Sequence, residues 1–181
     1  MNFAPTTLPD VIVIEPRVFE DERGFFMETW NSRSFEAAGL NQQFVQDNHS
    51  GSSRGTIRGL HFQIEQAQGK LVRVTSGEIY DVAVDLRRSS VTFGLYVGVV
   101  VSAENRRSVW IPPGFAHGFQ VLSEYCDVVY KCTEFYAPQH ERTLLWNDPE
   151  VGIDWPLKDE PPMLSRRDAE GLALKDTAGY P

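Results

Sequence analysis

Ile57-Arg58-Gly59-Leu60-His61-Phe62-Gln63, continuing into Gly69-Lys70-Leu71-Val72-Arg73-Val74, is the stretch on which the fold turns. Apolar residues separate an arginine, a histidine and a lysine, and the run has strand character. Gly59 removes a side chain where another backbone or a ligand can come close. A histidine near neutral pKa can take a proton, and a neighbouring lysine or arginine can hold developing negative charge. The chemistry to look for is therefore a base at His61 with an acid and an anion clamp around it.

Working outward, Ser76-Gly77 predicts a hairpin turn. Glu78 to Leu86 alternates, with Tyr80, Val82, Val84 and Leu86 on one face and Ile79, Asp81, Ala83 and Asp85 on the other. Phe93–Ser102, Ser108–Ile111, Gln120–Leu122 and Asp127–Phe135 read as further strands. Upstream, Val11–Ile14 is a short strand closed by Pro16. Asp21-Glu22-Arg23-Gly24 is turn chemistry, and Phe25–Trp30 is a second strand. Asn31–Leu40 is the best helix, capped by Asn31 or Ser32 and closed by Gly39. Phe44–Ser50 is a strand, and Gly51–Gly55 a loop. Beyond Ala137, Pro138, Pro149, Pro156, Pro161 and Pro162 predict an irregular tail, pinned to the body by Trp146 and Trp155. Many short strands broken by Gly and Pro mean an all-β sandwich or barrel, here one domain over residues 1–181.

Of the 181 residues, 41% are hydrophobic and 23% charged, ordinary for a globular chain. A net charge of −8 argues against nucleic acid and against an anionic membrane surface as partners. A local arginine cluster can still hold a phosphate, and Arg23, Arg58, Arg73 and Arg167 are the candidates for a diphosphate clamp. No apolar run approaches the roughly 20 residues of a membrane helix. Met1 to Pro9 lacks the basic and apolar regions of a signal peptide. Cys126 and Cys132, on one strand, would lie about 20 Å apart, too far for a disulfide with each other. Two free thiols fit a reducing cytosol, so a cytoplasmic protein is expected.

Pro112-x-Gly114-x-x-His117 resembles the second motif of the cupins, in which a Pro-Gly turn feeds a strand whose histidine points into a barrel. The same pattern also fits a plain turn followed by a core histidine. The first cupin motif supplies His-x-His and a later glutamate to a metal, and here the second histidine is replaced by Gln63. Glu65 and Glu78 have no spacing that favours them as ligands. The expectation is no metal and no cofactor, and no Gly-x-Gly-x-x-Gly fingerprint is present. His61 is then the base, Lys70 the group that holds an enolate oxygen, and His117 a further donor. Tyr130, on a face with Val128 and both cysteines, can serve as the acid, or be a core tyrosine. Tyr136 can stack on a flat base, or simply pack.

Taken together, the residues resemble the dTDP-4-dehydrorhamnose 3,5-epimerase family, a branch of the cupins. The segments that carry the resemblance run from Glu15-Pro16-Arg17-Val18-Phe19 and Asp21–Phe26, through Phe44–Ser50, Leu60–Gln63 and Gln68–Arg73, to Tyr80–Arg87, Pro112–Phe119, Trp146–Pro149 and Leu164–Asp168. They cover nearly the whole chain in order. The resemblance implies a cupin-type jelly roll with short peripheral helices, acting as a homodimer. It implies inversion of dTDP-4-dehydro-6-deoxy-D-glucose at carbons 5 and 3, through enolates, to dTDP-4-dehydro-L-rhamnose for dTDP-L-rhamnose biosynthesis. By matched motif, Asp168 partners the base His61, Tyr130 is the acid, and Lys70 stabilises the enolate with Arg58 and His117 beside it. Arg23, Glu28, Gln46, Asp47, Asn48, Glu141 and Arg167 match nucleotide-sugar contacts, Arg23 and its neighbours through an exchanged segment of a partner subunit. Tyr136 matches an aromatic that stacks on thymine. Two departures are Arg167, where lysine is frequent, and Tyr136, where tryptophan or phenylalanine is. The alternatives are an epimerase of one centre only, or a metal-dependent cupin.

Overall fold

The strand Glu78–Asp85 is buried on both faces, and that determines the layering. Ile79 and Ala83 belong to one buried cluster, while Val82 and Val84 belong to another. The computed structural model describes residues 1–181. In chain order its strands are β1 (Asn2–Pro5), β2 (Ile12–Glu15), β3 (Val18–Asp21), β4 (Gly24–Met27), β5 (Gln46–Ser53), β6 (Ile57–Gln63) and β7 (Lys70–Ser76). They continue as β8 (Glu78–Asp85), β9 (Tyr96–Ser102), β10 (Ser108–Ile111), β11 (Phe115–Val121), β12 (Tyr125–Cys132) and β13 (Glu141–Thr143). Helix α1 is Ser32–Ala37, α2 is Arg166–Ala169, and a 3-10 turn covers Leu174–Asp176. None is long and apolar enough to cross a membrane.

The strands form a cupin-type jelly roll. One sheet has the order β1-β2-β10-β7-β12-β5, the other β13-β6-β11-β8-β9, and β3-β4 is a separate hairpin. Val72, Val74, Val109, Ile111 and Val128 of the first sheet meet Ile79, Ala83, Val101, Phe115 and Val121 of the second in a shared core. Burying each such side chain stabilises the fold by about 1.5–3 kcal/mol. The outer face of the second sheet is covered by the C-terminal segment through Leu144, Val151, Trp155 and Leu174. The outer face of the first is covered by α1, whose Phe35 packs with Ile14, Leu71 and Trp110.

Asn31 caps α1, its side-chain oxygen accepting from the Ser34 amide at 3.2 Å. The helix is shorter than Asn31–Leu40, and Gly39 follows it with φ +83°. The strand expected over Phe25–Trp30 stops at Met27, because β4 pairs only with β3. The loop expected over Gly51–Gly55 is mostly strand. Register with β12 continues through Gly51, Ser52 and Ser53, and the Tyr125 ring lies over Gly51 where any side chain would collide. β13, α2 and the 3-10 turn sit where an irregular tail was expected. β13 pairs with β6, and α2 is capped by Ser165. Trp146 and Trp155 do pin this tail, the Trp155 indole donating to the Trp146 carbonyl at 2.9 Å. Cys126 and Cys132 are buried free thiols.

Gly59 lets another backbone come close. With φ +108°, it leaves no room for a Cβ, which would sit 2.5 Å from the His117 carbonyl and 2.6 Å from the Gly118 Cα. The β6–β11 register shifts at this point, after His117 has paired with His61.

Candidate active site

Strand parity decides which side chains enter the space between the sheets. On β12, Tyr130 and Cys132 face inward, and their register partners Asn48, Gln46, Val72 and Lys70 face the same way. From the opposite sheet, β6 brings His61 and β11 brings His117, which are register partners. The result is a cavity of about 320 Å³. Its lining includes Gln46, Asn48, Arg58, His61, Lys70, His117, Tyr130, Tyr136, Glu141 and Arg167. Phe119, Tyr130 and Tyr136 contribute aromatic surface beside these charged and amide side chains.

His61 Nε2 lies 2.5 Å from Asp168 Oδ1. The other carboxylate oxygen of Asp168 accepts from the Ser165 hydroxyl at 2.8 Å. With Nε2–H donating to the carboxylate, the other ring nitrogen carries the lone pair. Burial pushes the His61 pKa down, Asp168 opposes this, and the charges of Lys70 and Arg167 add to the lowering. The net direction is down, so the ring is neutral and ready to accept a proton near neutral pH. Burial acts to raise Asp168, but His61, Ser165 and Arg167 outweigh it and hold the carboxyl below its usual range.

Lys70 is buried, and its Nζ donates to the His61 carbonyl at 3.4 Å. Burial pushes its ammonium down, while Cys132, Glu141 and Asp81 push back. The Tyr130 phenol is raised, chiefly by burial and then by Cys132, so it keeps its proton at neutral pH. His117 Nε2 donates to Asp81 Oδ1 at 2.7 Å in a second, buried His–carboxylate pair. Arg58 is anchored by Ser52 Oγ at 2.8 Å. At the mouth, the Tyr136 hydroxyl donates to Glu141 at 2.7 Å, and Arg167 pairs with the same carboxylate oxygen.

Four expected contacts lie elsewhere in this chain. Asp47 and Arg73 are on the outer face of the first sheet, beside Leu71 and Val129, and Asp47 pairs with Lys131 at 2.9 Å. Each is an odd number of residues from an inward-facing neighbour, Asn48 and Lys70, so the pleat turns it away. Neither side chain lines this cavity. Arg23 lies on the β3–β4 hairpin, 90% exposed at its side chain and paired with Asp21. Glu28 accepts from Asn31 Nδ2 at 3.1 Å, also outside the cavity.

The cupin metal does not fit here. No three His, Cys, Asp or Glu side chains converge. His61 and His117 are each engaged by a carboxylate, and neither Glu65 nor Glu78 lines the cavity.

The family model for dTDP-4-dehydrorhamnose 3,5-epimerase matches residues 5–176. The chain belongs to the dTDP-4-dehydrorhamnose 3,5-epimerase family. It is 62% identical to the Pseudomonas aeruginosa dTDP-4-dehydrorhamnose 3,5-epimerase over 182 residues, covering 100% of both chains. Among solved structures it superposes with TM-score 0.95 and 48% identity on a Legionella pneumophila dTDP-6-deoxy-D-glucose-3,5-epimerase in complex with dTDP-4-keto-L-rhamnose, covering 98% of this chain and 94% of that one. A 3'-monoepimerase from Streptomyces bikiniensis, in complex with dTDP-quinovose, is 33% identical with TM-score 0.89, covering 95% and 87%.

Within this 3,5-epimerase framework, sequence reading passed over several participants. Ser50 and Gln68 also line the cavity, and Ser50 Oγ is buried with no partner. Asp81 holds His117. Its signal was present: a carboxylate between Ile79 and Ala83 on an inward face needs a partner. Ser165 both caps α2 and holds Asp168, a dual use that the Ser-x-x-Asp spacing allows.

Proposed function

We propose that this cavity inverts dTDP-4-dehydro-6-deoxy-D-glucose at carbons 5 and 3, giving dTDP-4-dehydro-L-rhamnose, with residues 1–181 acting as one epimerase domain. The observation that carries the residue roles is that the His61–Asp168 pair and Tyr130 enter one cavity from opposite sheets. The keto group at carbon 4 acidifies the hydrogens on both neighbouring carbons. Neutral His61 takes such a proton, and Asp168 stabilises the imidazolium that forms. The electron pair moves onto the carbonyl oxygen, where Lys70, with Arg58 and His117 beside it, stabilises the enolate. Tyr130 gives a proton to the other face of the carbon and inverts it. His61 and Tyr130 then reset by proton exchange with water, and the same groups serve the second carbon.

Gln46, Asn48, Glu141 and Arg167 are proposed to hold the nucleotide sugar, with Tyr136 stacked on thymine. Arg23 and Glu28 would act from a partner subunit. The separate β3–β4 hairpin supports this, with Phe19, Phe25 and Phe26 at 50%, 56% and 70% exposure. The proposed assembly is a homodimer, and the two buried free thiols favour a cytoplasmic setting.

The test is proton NMR of dTDP-4-dehydro-6-deoxy-D-glucose in deuterated buffer with EDTA-treated protein. Deuterium entering carbons 3 and 5, with L-rhamno product, supports the assignment. Exchange at one carbon would make the chain a single-centre enzyme like the Streptomyces bikiniensis relative. Exchange that required added metal would refute the His61–Tyr130 mechanism.

A further inference from the structure

Tyr136 sits at the cavity mouth on a connection that little apolar packing holds. Its ring is half exposed, and Phe135 before it is 59% exposed. The Tyr136 amide donates to Gln46 Oε1 at 2.9 Å and Gln68 Nε2 donates to the Glu134 carbonyl at 2.9 Å, but the main chain directly on either side of Tyr136 is held by one buried side chain that does not line the cavity. Gln63 is 3% exposed, at the end of β6 and two residues beyond His61, hence on the same side of the strand. Its Nε2 donates to the carbonyls of Gln66 at 2.7 Å and Phe135 at 3.2 Å. Its Oε1 accepts from the Ala137 amide at 2.9 Å. The main chain is thus gripped immediately before and immediately after Tyr136. The Gln63 carbonyl in turn accepts from the Tyr180 hydroxyl at 2.5 Å, and its register partner on β13 is Glu141, the residue that receives the Tyr136 hydroxyl.

We propose that Gln63 is a positioning residue that sets nucleotide affinity by holding the Tyr136 loop against the catalytic strand. The inference rests on the stacking role given to Tyr136 above. Only a primary amide meets both demands, with two donors for carbonyls and one acceptor for an amide N–H. A carboxylate keeps the acceptor but faces two carbonyl oxygens with no proton to offer. A methionine of similar length loses all three bonds. Gln63 touches none of the groups that move protons, so it should govern how the substrate is held rather than how fast it reacts.

The experiment uses the full chain and four proteins: wild type, Q63E, Y136A and the double variant, with Q63M as a second probe of the same position. Affinity for dTDP is read by calorimetry, KM and kcat by turnover, and folding by thermal melting. The expected result is that Q63E and Q63M weaken dTDP binding and raise KM about tenfold, the effect of leaving a buried polar group unpaired. kcat should fall by less than about threefold, and Q63E should add less than about twofold in the Y136A background. Equal weakening with and without Tyr136, or a fall in kcat at unchanged dTDP affinity, overturns the proposal. Loss of cooperative melting in both variants also overturns it, since Gln63 would then serve the fold as a whole. If Y136A weakens dTDP binding and the Gln63 variants do not, only the role of Gln63 fails. If Y136A itself leaves dTDP affinity unchanged, the stacking assignment fails and this inference with it.

Discussion

Arg167 and Asp168, adjacent on α2, address the same nitrogen of His61. Arg167 Nη2 lies 3.2 Å from Nε2, and Asp168 Oδ1 lies 2.5 Å from it. The carboxylate favours the imidazolium and the guanidinium disfavours it. Replacing Arg167 by glutamine removes a cation that depresses His61, so the His61 pKa must rise. A base with a higher pKa is deprotonated later as pH increases. The acid limb of kcat/KM, which reports the free enzyme, is therefore expected at higher pH in R167Q and near its original place in R167K. An unmoved limb in R167Q would show that the guanidinium does not act on the base.

Base and acid separate in deuterated water. His61→Ala should abolish exchange at both carbons, a loss of about 10²–10⁴ for a general base. Tyr130→Phe should let deuterium enter from the His61 side while the inverted product falls by a similar factor. Full turnover at both centres in Tyr130→Phe would remove Tyr130 from the mechanism.

Lys70 is the single buried cation beside the base. Lys70→Met should slow exchange at carbons 3 and 5 together, by about 10²–10³, since one oxygen carries the charge in both steps. Slowing at one carbon alone would mean that each enolate has its own stabiliser. Deuterium incorporation followed at each carbon by NMR decides it.

Asp85 is a stability prediction away from the chemistry. Burial acts to raise its carboxyl, but bonds from Arg87 and Thr92 outweigh this and hold it at about 2. The native carboxylate is favoured over the unfolded one, so its contribution is complete above the ordinary Asp pKa. It is lost as pH falls through about 2. The shift corresponds to about 2 kcal/mol. Urea unfolding should find Asp85→Asn less stable by at least that much at neutral pH, with the gap closing in strong acid. A constant gap across pH would assign the loss to packing.

Much of the fold was legible because the pleat has period two. The alternation from Glu78 to Leu86 correctly separates two buried faces, and the cap at Asn31 starts a real helix. The same parity, applied to Asp47 beside Asn48 and to Arg73 three residues past Lys70, already puts them on the other side of the sheet. The long-range pairs were not legible from spacing. His61 and Asp168 are 107 residues apart, and His117 and Asp81 are 36 apart. Nothing local joins them, and Asp168 entered only through family resemblance. β13 escaped because three residues between prolines have too little pattern to read, and it is the partner strand β6 that makes them extended.

Gly59 and Gly118 touch where β6 lies against β11, Gly118 directly after His117 and Gly59 two residues before His61, the two cavity histidines that pair. The gauge of the pocket is thus fixed by two positions that carry no side chain. Any substitution there wedges the sheet open and drives His61 and His117 apart, so an attempt to reshape the pocket has a natural division. Tyr136 and Glu141 at the mouth can be varied to recruit other nucleotide sugars. The glycine contact beneath them is the jig that must stay as it is, because it measures the gap in which the proton moves.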